Sequence, residues 1–232
     1  MLVSSGSNGC AAQDSTEVVD LKSGKIFSMA PLGRTTFGAT GGLLDGLPVI
    51  CGGFLDNKIH SIAKDQSKFL GQLSVTCWDA ASVVLSNNTL WVTGGQDLFG
   101  NLIKTTELIT KDGQTSQGPD LPLPLCGHAI VPLNSGAFIL IGGSGGDSSA
   151  THFYEEKKGW RPGPNLKKGR WLHTAGVLTD RVSTKQYIVA VGGFARSSLE
   201  YLEYPGSNDW MKGKPTHSSL DQLQLESHLF MF

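Results

Sequence analysis

The sequence predicts an all-β chain built from about five copies of a four-stranded antiparallel sheet, and three observations carry that expectation. Thirty of the 232 residues are glycine, about 13% against roughly 7% in average proteins, while charged residues reach only 17%. A short apolar run closed by a glycine pair recurs along the chain. Other landmarks keep step with those pairs. A helical bundle would be rich in Ala, Glu, Lys and Leu, and a disordered chain would be poor in Leu, Val and Ile. Collagen needs glycine at every third position, whereas these cluster in pairs.

Taken in order, the elements repeat. The first copy opens with Leu2-Val-Ser-Ser-Gly6, a decayed form of the run, followed by the alternating strand Glu17-Val-Val-Asp20, then Phe27 and Pro31-Leu32. In the second copy Ala39 stands thirteen residues before the first glycine of Pro48-Val-Ile-Cys-Gly-Gly53. Ala81 holds that place before Leu90-Trp-Val-Thr-Gly-Gly95, and Ala129 before Phe138-Ile-Leu-Ile-Gly-Gly143. Ala175 lies 17 ahead of Gly192 in the last copy, Ile188-Val-Ala-Val-Gly-Gly193, because Thr179 to Gln186 is a longer polar hairpin loop. The second positions 6, 53, 95, 143 and 193 are separated by 47, 42, 48 and 50 residues. Later strands follow at Glu107-Leu-Ile109 and Glu200-Tyr-Leu-Glu-Tyr204. Trp210 lies ten residues beyond Glu200, as Phe27 does beyond Glu17, with Trp160 at the matching place in the fourth copy and Gln117 in the third. Pro119-Asp-Leu121 and Pro164-Asn-Leu166 repeat the Pro-Leu step, and Arg34 and Arg170 each precede their alanine by five residues.

A period near 50 with four strands per unit is that of kelch repeats, and the chain resembles the kelch family from Leu2 to about Lys214. The resemblance implies a kelch-type β-propeller of about five blades over 1–214 and a tail over 215–232. In such a propeller the pairs Gly52-Gly53, Gly94-Gly95, Gly142-Gly143 and Gly192-Gly193 end the second strand of each blade, where backbone meets backbone. Phe27, Trp160 and Trp210 are expected to fill the widening space between blades. With Gln117 at that place, the third blade is expected to be weaker. Ring closure requires a tail strand, Leu223-Gln-Leu225 or Leu229-Phe-Met-Phe232, beside Leu2-Val3. An incomplete sixth blade and a partial propeller stay open as alternatives, since kelch rings more often have six or seven blades.

Charge and cysteine usage narrow the classes further. Nineteen basic against 20 acidic residues leave no basic stripe, so no nucleic-acid partner is expected. Cys10, Cys51, Cys77 and Cys126 form no CxxC motif, and a chain with a core of this size does not need disulfide staples. Free thiols are expected, with a cytoplasmic location. The uncharged stretch Leu121 to Gly146 is long enough to span a bilayer, but Pro122, Pro124, Pro132 and Asn134-Ser135-Gly136 break it into a hairpin. Met1 to Ala12 has neither the basic nor the apolar region of a secretory signal. Asn87-Asn88-Thr89 is a glycosylation sequon that reads equally as a turn.

No catalytic residue, cofactor or metal is expected. Gly142-Gly-Ser144-Gly-Gly146 matches the nucleophile-elbow pattern, but that pattern needs a helix next and Thr151-His-Phe-Tyr154 reads as a strand. The six histidines, His173 among them, lack zinc spacing. A galactose-oxidase-like copper enzyme, which also carries kelch repeats, would need tyrosine, histidine and cysteine ligands together. Three of the four tyrosines are instead explained as strand residues.

The expectation is therefore a non-catalytic module that binds a protein or peptide through its loop face. Resemblance to kelch-like adaptors implies substrate recognition for a ubiquitin ligase, or contact with actin, although BTB and BACK domains have no room in this sequence. An extracellular propeller with paired cysteines is the rival from another class. The candidate binding residues are Trp78, Asp97, Phe99, Asn101, Trp171 and Arg196, with Arg34 and Arg170. The three arginines form a basic rim suited to an acidic peptide, with the alternative that Arg34 and Arg170 brace the blades.

Overall fold

A computed structural model of the chain describes residues 2–4, 6–7, 11–20, 22–180, 183–213 and 223–225. These contain strands, turns and loops and no helix, and the strands form five antiparallel sheets. Two compact units divide at Cys126 and Gly127.

The first unit holds three sheets. The first contains β1 (Leu2–Ser4), β2 (Thr16–Val19) and β3 (Ile26–Ser28). The second contains β4 (Thr40–Leu44), β5 (Leu47–Cys51), β6 (Lys58–Ile62) and β7 (Ser67–Gln72). The third contains β8 (Ala81–Val84), β9 (Leu90–Thr93), β10 (Thr106–Ile109) and β11 (Thr115–Gln117). The second unit holds β12 (Ala129–Pro132), β13 (Phe138–Ile141), β14 (Thr151–Glu155) and β15 (Gly159–Pro162) in one sheet. Its other sheet has β16 (Thr174–Asp180), β17 (Gln186–Val191), β18 (Leu199–Tyr204) and β19 (Met211–Gly213), with β20 (Leu223–Leu225) on the far side of β16. Sequence neighbours pair within each sheet, as expected of blade-like, all-β repeats joined by hairpins.

Apolar runs form the second strands because both faces of the sheet are covered there, so alternation gives way to continuous hydrophobicity. All four residues of β9 are buried, whereas all three of β11 at the sheet edge are exposed. The buried cores follow the units. Leu44, Val49, Ile59, Leu90, Val92 and Ile109 cluster in the first, and Val131, Ile139, Phe153, Ile188, Leu202 and Trp210 in the second.

The glycine pairs hold one backbone conformation throughout. Gly52, Gly94, Gly142 and Gly192 lie at φ 66, 59, 58 and 71°, and Gly53, Gly95, Gly143 and Gly193 at 111, 102, 103 and 109°. This left-handed turn aims the second amide out of its sheet, where it donates to the strand-linking segment that follows. Gly6 reaches Thr36 O at 2.9 Å, Gly53 reaches Cys77 O at 2.7 Å, Gly95 reaches Leu125 O at 2.7 Å and Gly143 reaches Arg170 O at 3.0 Å. The Pro-Leu steps are a second repeated joint: Leu32, Leu121 and Leu166 are buried and donate their amides to Asp14, Lys104 and Ser149, each at 2.8 Å. A fourth copy without proline escaped the sequence pattern. Leu73, 1% exposed, donates to Asn57 O at 2.7 Å.

Several expectations shift. Residues opposite the position before each glycine pair are Thr40, Ala81, Ala129 and Thr174, so Ala39 and Ala175 stand one residue off the repeat. The tight Asp45-Gly46 turn shortens the second sheet's hairpin and moves its alanine out of register. Trp210 is fully buried and its indole donates to Pro164 O at 2.9 Å, but Phe27 is 52% exposed on edge strand β3. Trp160 is half-buried, tilted against Tyr154 at 4.9 Å. In the third sheet, Trp91 on β9 supplies the buried aromatic that Gln117 does not, donating to Thr106 Oγ1 at 2.9 Å. In the tail, Leu223–Leu225 pairs with Leu178, Thr179 and Asp180 of β16, and β1 pairs with β2. The other tail segment, 229–232, lies outside the described residues, as does Cys10.

Candidate functional site

In each sheet the loop after the glycine pair lies at the same end as the turn that leads into the first strand. Three of those turns carry an aromatic residue and then a left-handed one, Phe37-Gly38, Trp78-Asp79 and, in the second unit, Trp171-Leu172, while Cys126-Gly127 holds the fourth place. Asp79 (φ 54°) and Leu172 (φ 52°) adopt this conformation despite their side chains, at a cost of about 1–2 kcal/mol each. The surrounding bonds hold them there. Asp79 N–H donates to Gly38 O at 2.9 Å and Leu172 N–H to Gly127 O at 2.7 Å.

The residue after three of the glycine pairs then bonds back to the aromatic position. Phe54, Gln96 and Phe194 donate their amides to Phe37, Trp78 and Trp171, each at 2.9 Å. In the first unit this gathers three rings: Phe37 stacks on Phe54 at 4.8 Å, and Trp78 stands edge-on to them at 6.0 and 5.6 Å. In the second unit Trp171 meets Phe194 at 5.0 Å. Phe54 and Phe194 were missed by the sequence reading, although an apolar residue directly after a glycine pair, where a loop is ordinarily polar, is a visible signal.

Phe99 is the most exposed large apolar side chain described, at 87%. Its loop is built for display. The Asp97 carboxylate accepts the Phe99 and Asn101 amides at 2.8 Å and the Asn101 side-chain amide at 2.9 Å. Those bonds, that from the Asn101 side chain first, hold the Asp97 carboxyl below the usual range, so it stays ionised. Trp78 Nε1 donates to Asp97 O at 3.4 Å and ties the loop to the ring cluster. Asp97 and Asn101 thus shape the loop, while Phe99 and Leu98 offer the surface.

Arg170 is buried and the Arg34 side chain is largely covered, so of the two alternatives for these arginines the structure shows the brace and not the basic rim. Arg170 is buried and donates to Gly192 O at 2.7 Å, Ser198 O at 2.9 Å and Glu200 Oε1 at 2.8 Å. Glu200 in turn accepts the Lys167 amide at 2.6 Å and the Lys168 amide at 3.2 Å. Arg34 repeats the device, pairing with Asp56 and donating to Gly52 O at 3.3 Å. Each guanidinium therefore braces the loop after a glycine pair by capping the first glycine's carbonyl. Arg196 is exposed, and Trp171 is half-buried against Phe194.

The remaining chemical candidates are placed as follows. Ser144 leads through a turn into β14, with no helix following. Burial lowers His128 to about 4, and burial together with Arg170 and His128 lowers His173 to about 3, so both are neutral at pH 7. Cys51, Cys77 and Cys126 are free and buried, and burial pushes the Cys77 thiol up to about 12. Among the described residues no group of three His, Cys, Asp or Glu is arranged to hold a metal ion, and no helix is long and apolar enough to cross a membrane. Comparison with models of known families and with curated proteins returns no match.

Proposed function

We propose that the chain is a non-catalytic recognition module of kelch-propeller type that binds a protein through the loop ends of its blades. The observation that carries this reading is Phe99, 87% exposed on a loop pinned by Asp97 and tied by the Trp78 indole to the Phe37, Phe54 and Trp78 rings. A large aromatic presented on a rigid base loses little conformational entropy on docking, and aromatics dominate interface hot spots. The kelch resemblance extends the reading to a cytoplasmic ubiquitin-ligase adaptor or an actin-associated protein. Replacement Phe99→Ala is expected to cost about 2 kcal/mol of partner affinity and leave thermal stability unchanged. A partner captured by the wild-type chain and retained equally by Phe99→Ala and Phe54→Ala variants would overturn the proposed face.

A further inference from the structure

The loop end of the first unit has lost most of its expected positive charge: Lys58 stays exposed at the start of β6, and around the ring cluster what remains is aromatic and negative. Arg34 is engaged by Asp56 and by the Gly52 carbonyl. Lys104 is paired with Asp120 at 3.4 Å. Asp97 and Asp79 stand without an ion pair among the described residues. The Asp97 carboxylate is ionised and, among the described residues, accepts hydrogen bonds from Phe99 and Asn101 of its own loop. Asp79 is half-buried beside Trp78, and its carboxylate has no hydrogen bond or ion pair among the described residues. Its oxygen lies 2.8 Å from where a Cβ on Gly38 would stand, which places it over the Phe37-Gly38 turn and beside the ring cluster. Burial alone raises its pKa, so the site supplies nothing that compensates the charge.

Resting on the interface reading above, we infer that the first unit's loop end selects a basic side chain of the partner, arginine foremost, seated between the Trp78–Phe54 rings and the Asp79 carboxylate. The three rings pack at 4.8–6.0 Å and leave no empty cage between them, so the cation lies against their outer faces. Guanidinium suits this place because it stacks on aromatic faces, is weakly hydrated and meets a carboxylate through two donors at once. Its aliphatic stem covers the apolar surface of Leu98 and Phe99. An acidic segment would meet Asp79 and Asp97 as like charges, and both would have to be protonated or pushed aside.

Asp79→Asn is a clean probe. Asparagine tolerates the left-handed backbone, keeps the amide that bonds Gly38 and removes only the charge. In NMR titrations of the full chain with acetyl-Leu-Arg-Leu-amide, the Trp78 indole and Asp79 carboxyl signals should move and saturate at millimolar peptide. The matched peptide carrying Glu in place of Arg should move neither. Asp79→Asn should weaken the Arg peptide roughly tenfold with an unchanged melting midpoint. Equal binding of the Glu peptide, an unchanged affinity of Asp79→Asn, or no saturable shift would each overturn the inference. A partner lost on Phe99→Ala but held normally by Asp79→Asn would sink the cation site and leave the interface reading standing. Loss on neither would sink both.

Discussion

Arg170 shows how a single residue changes meaning once its surroundings are known. In sequence it is a cation near a loop; in the structure its side chain is fully buried, with Glu200 as its charge partner and two carbonyls as further acceptors. Arg170→Ala strands the Glu200 charge in the interior, so a loss of about 3–5 kcal/mol in chemical denaturation is expected. Arg170→Met combined with Glu200→Leu should recover most of it; a loss below about 1 kcal/mol for Arg170→Ala would deny the brace. His173, next in the same region, makes stability depend on pH. Its pKa falls from 6.5 to about 3 on folding, and that of His128 to about 4. Between those values and 6.5 the unfolded chain binds more protons, so stability is full above pH 6.5 and declines as pH falls toward 4. Each histidine contributes a slope of at most about 1.4 kcal/mol per pH unit. Urea midpoints between pH 7 and 4.5 should drop steeply for the wild type and less steeply for His173→Gln. Equal slopes would remove His173 from the account.

At the scale of the element, the glycine pairs are the best test of why the repeat exists. Gly52 has φ 66°, and an added Cβ would stand 2.5 Å from the Cys77 carbonyl. Gly52→Ala combines backbone strain with that clash, so a loss of at least about 2 kcal/mol is expected. Gly136, at φ 78° with open space around it, isolates the backbone part, and Gly136→Ala should cost only about 1 kcal/mol. Equal costs in thermal melts would mean that close approach does not select glycine at the pairs. The strands were legible because a run such as Leu90-Trp-Val-Thr can be buried on both faces only in a sheet interior. The aromatic that fills each repeat was legible only in part, for Trp210 is fully buried at the place its spacing gives. Spacing pointed to Phe27, yet β3 lies at a sheet edge and exposes it, whereas Trp91, inside β9, is buried at 1%. Distance along a chain does not say which strand is covered.

For the whole molecule, the three described cysteines offer a direct reading of integrity. All lie in the first unit, all are buried, and the Cys51 and Cys77 thiols are raised far above neutrality. Thiolate is the reactive form, so disulfide-exchange reagents should label these three sites in the native protein only as fast as that unit opens. Rapid labelling of Cys51 in the absence of denaturant would contradict its burial. The proposed binding surface belongs to this scale as well. It is assembled from turns distant in sequence, Phe37, Phe54, Trp78 and the 97–101 loop, and no local pattern joins them.

The sequence by itself determined the all-β class, the repeat and its period. These follow from local chemistry: glycine alone enters the paired left-handed turn freely, and apolar runs of strand length demand burial. Tertiary structure alone decided the sign and composition of the loop end. Whether an arginine faces a partner or a buried glutamate depends on residues about thirty positions away, as Arg170 and Glu200 show. The same folding that drew Arg34 and Arg170 inward left Asp79 without a cation beside the rings of Phe54 and Trp78. Burial, a property of the assembled sheets, set the charge of the surface that remained.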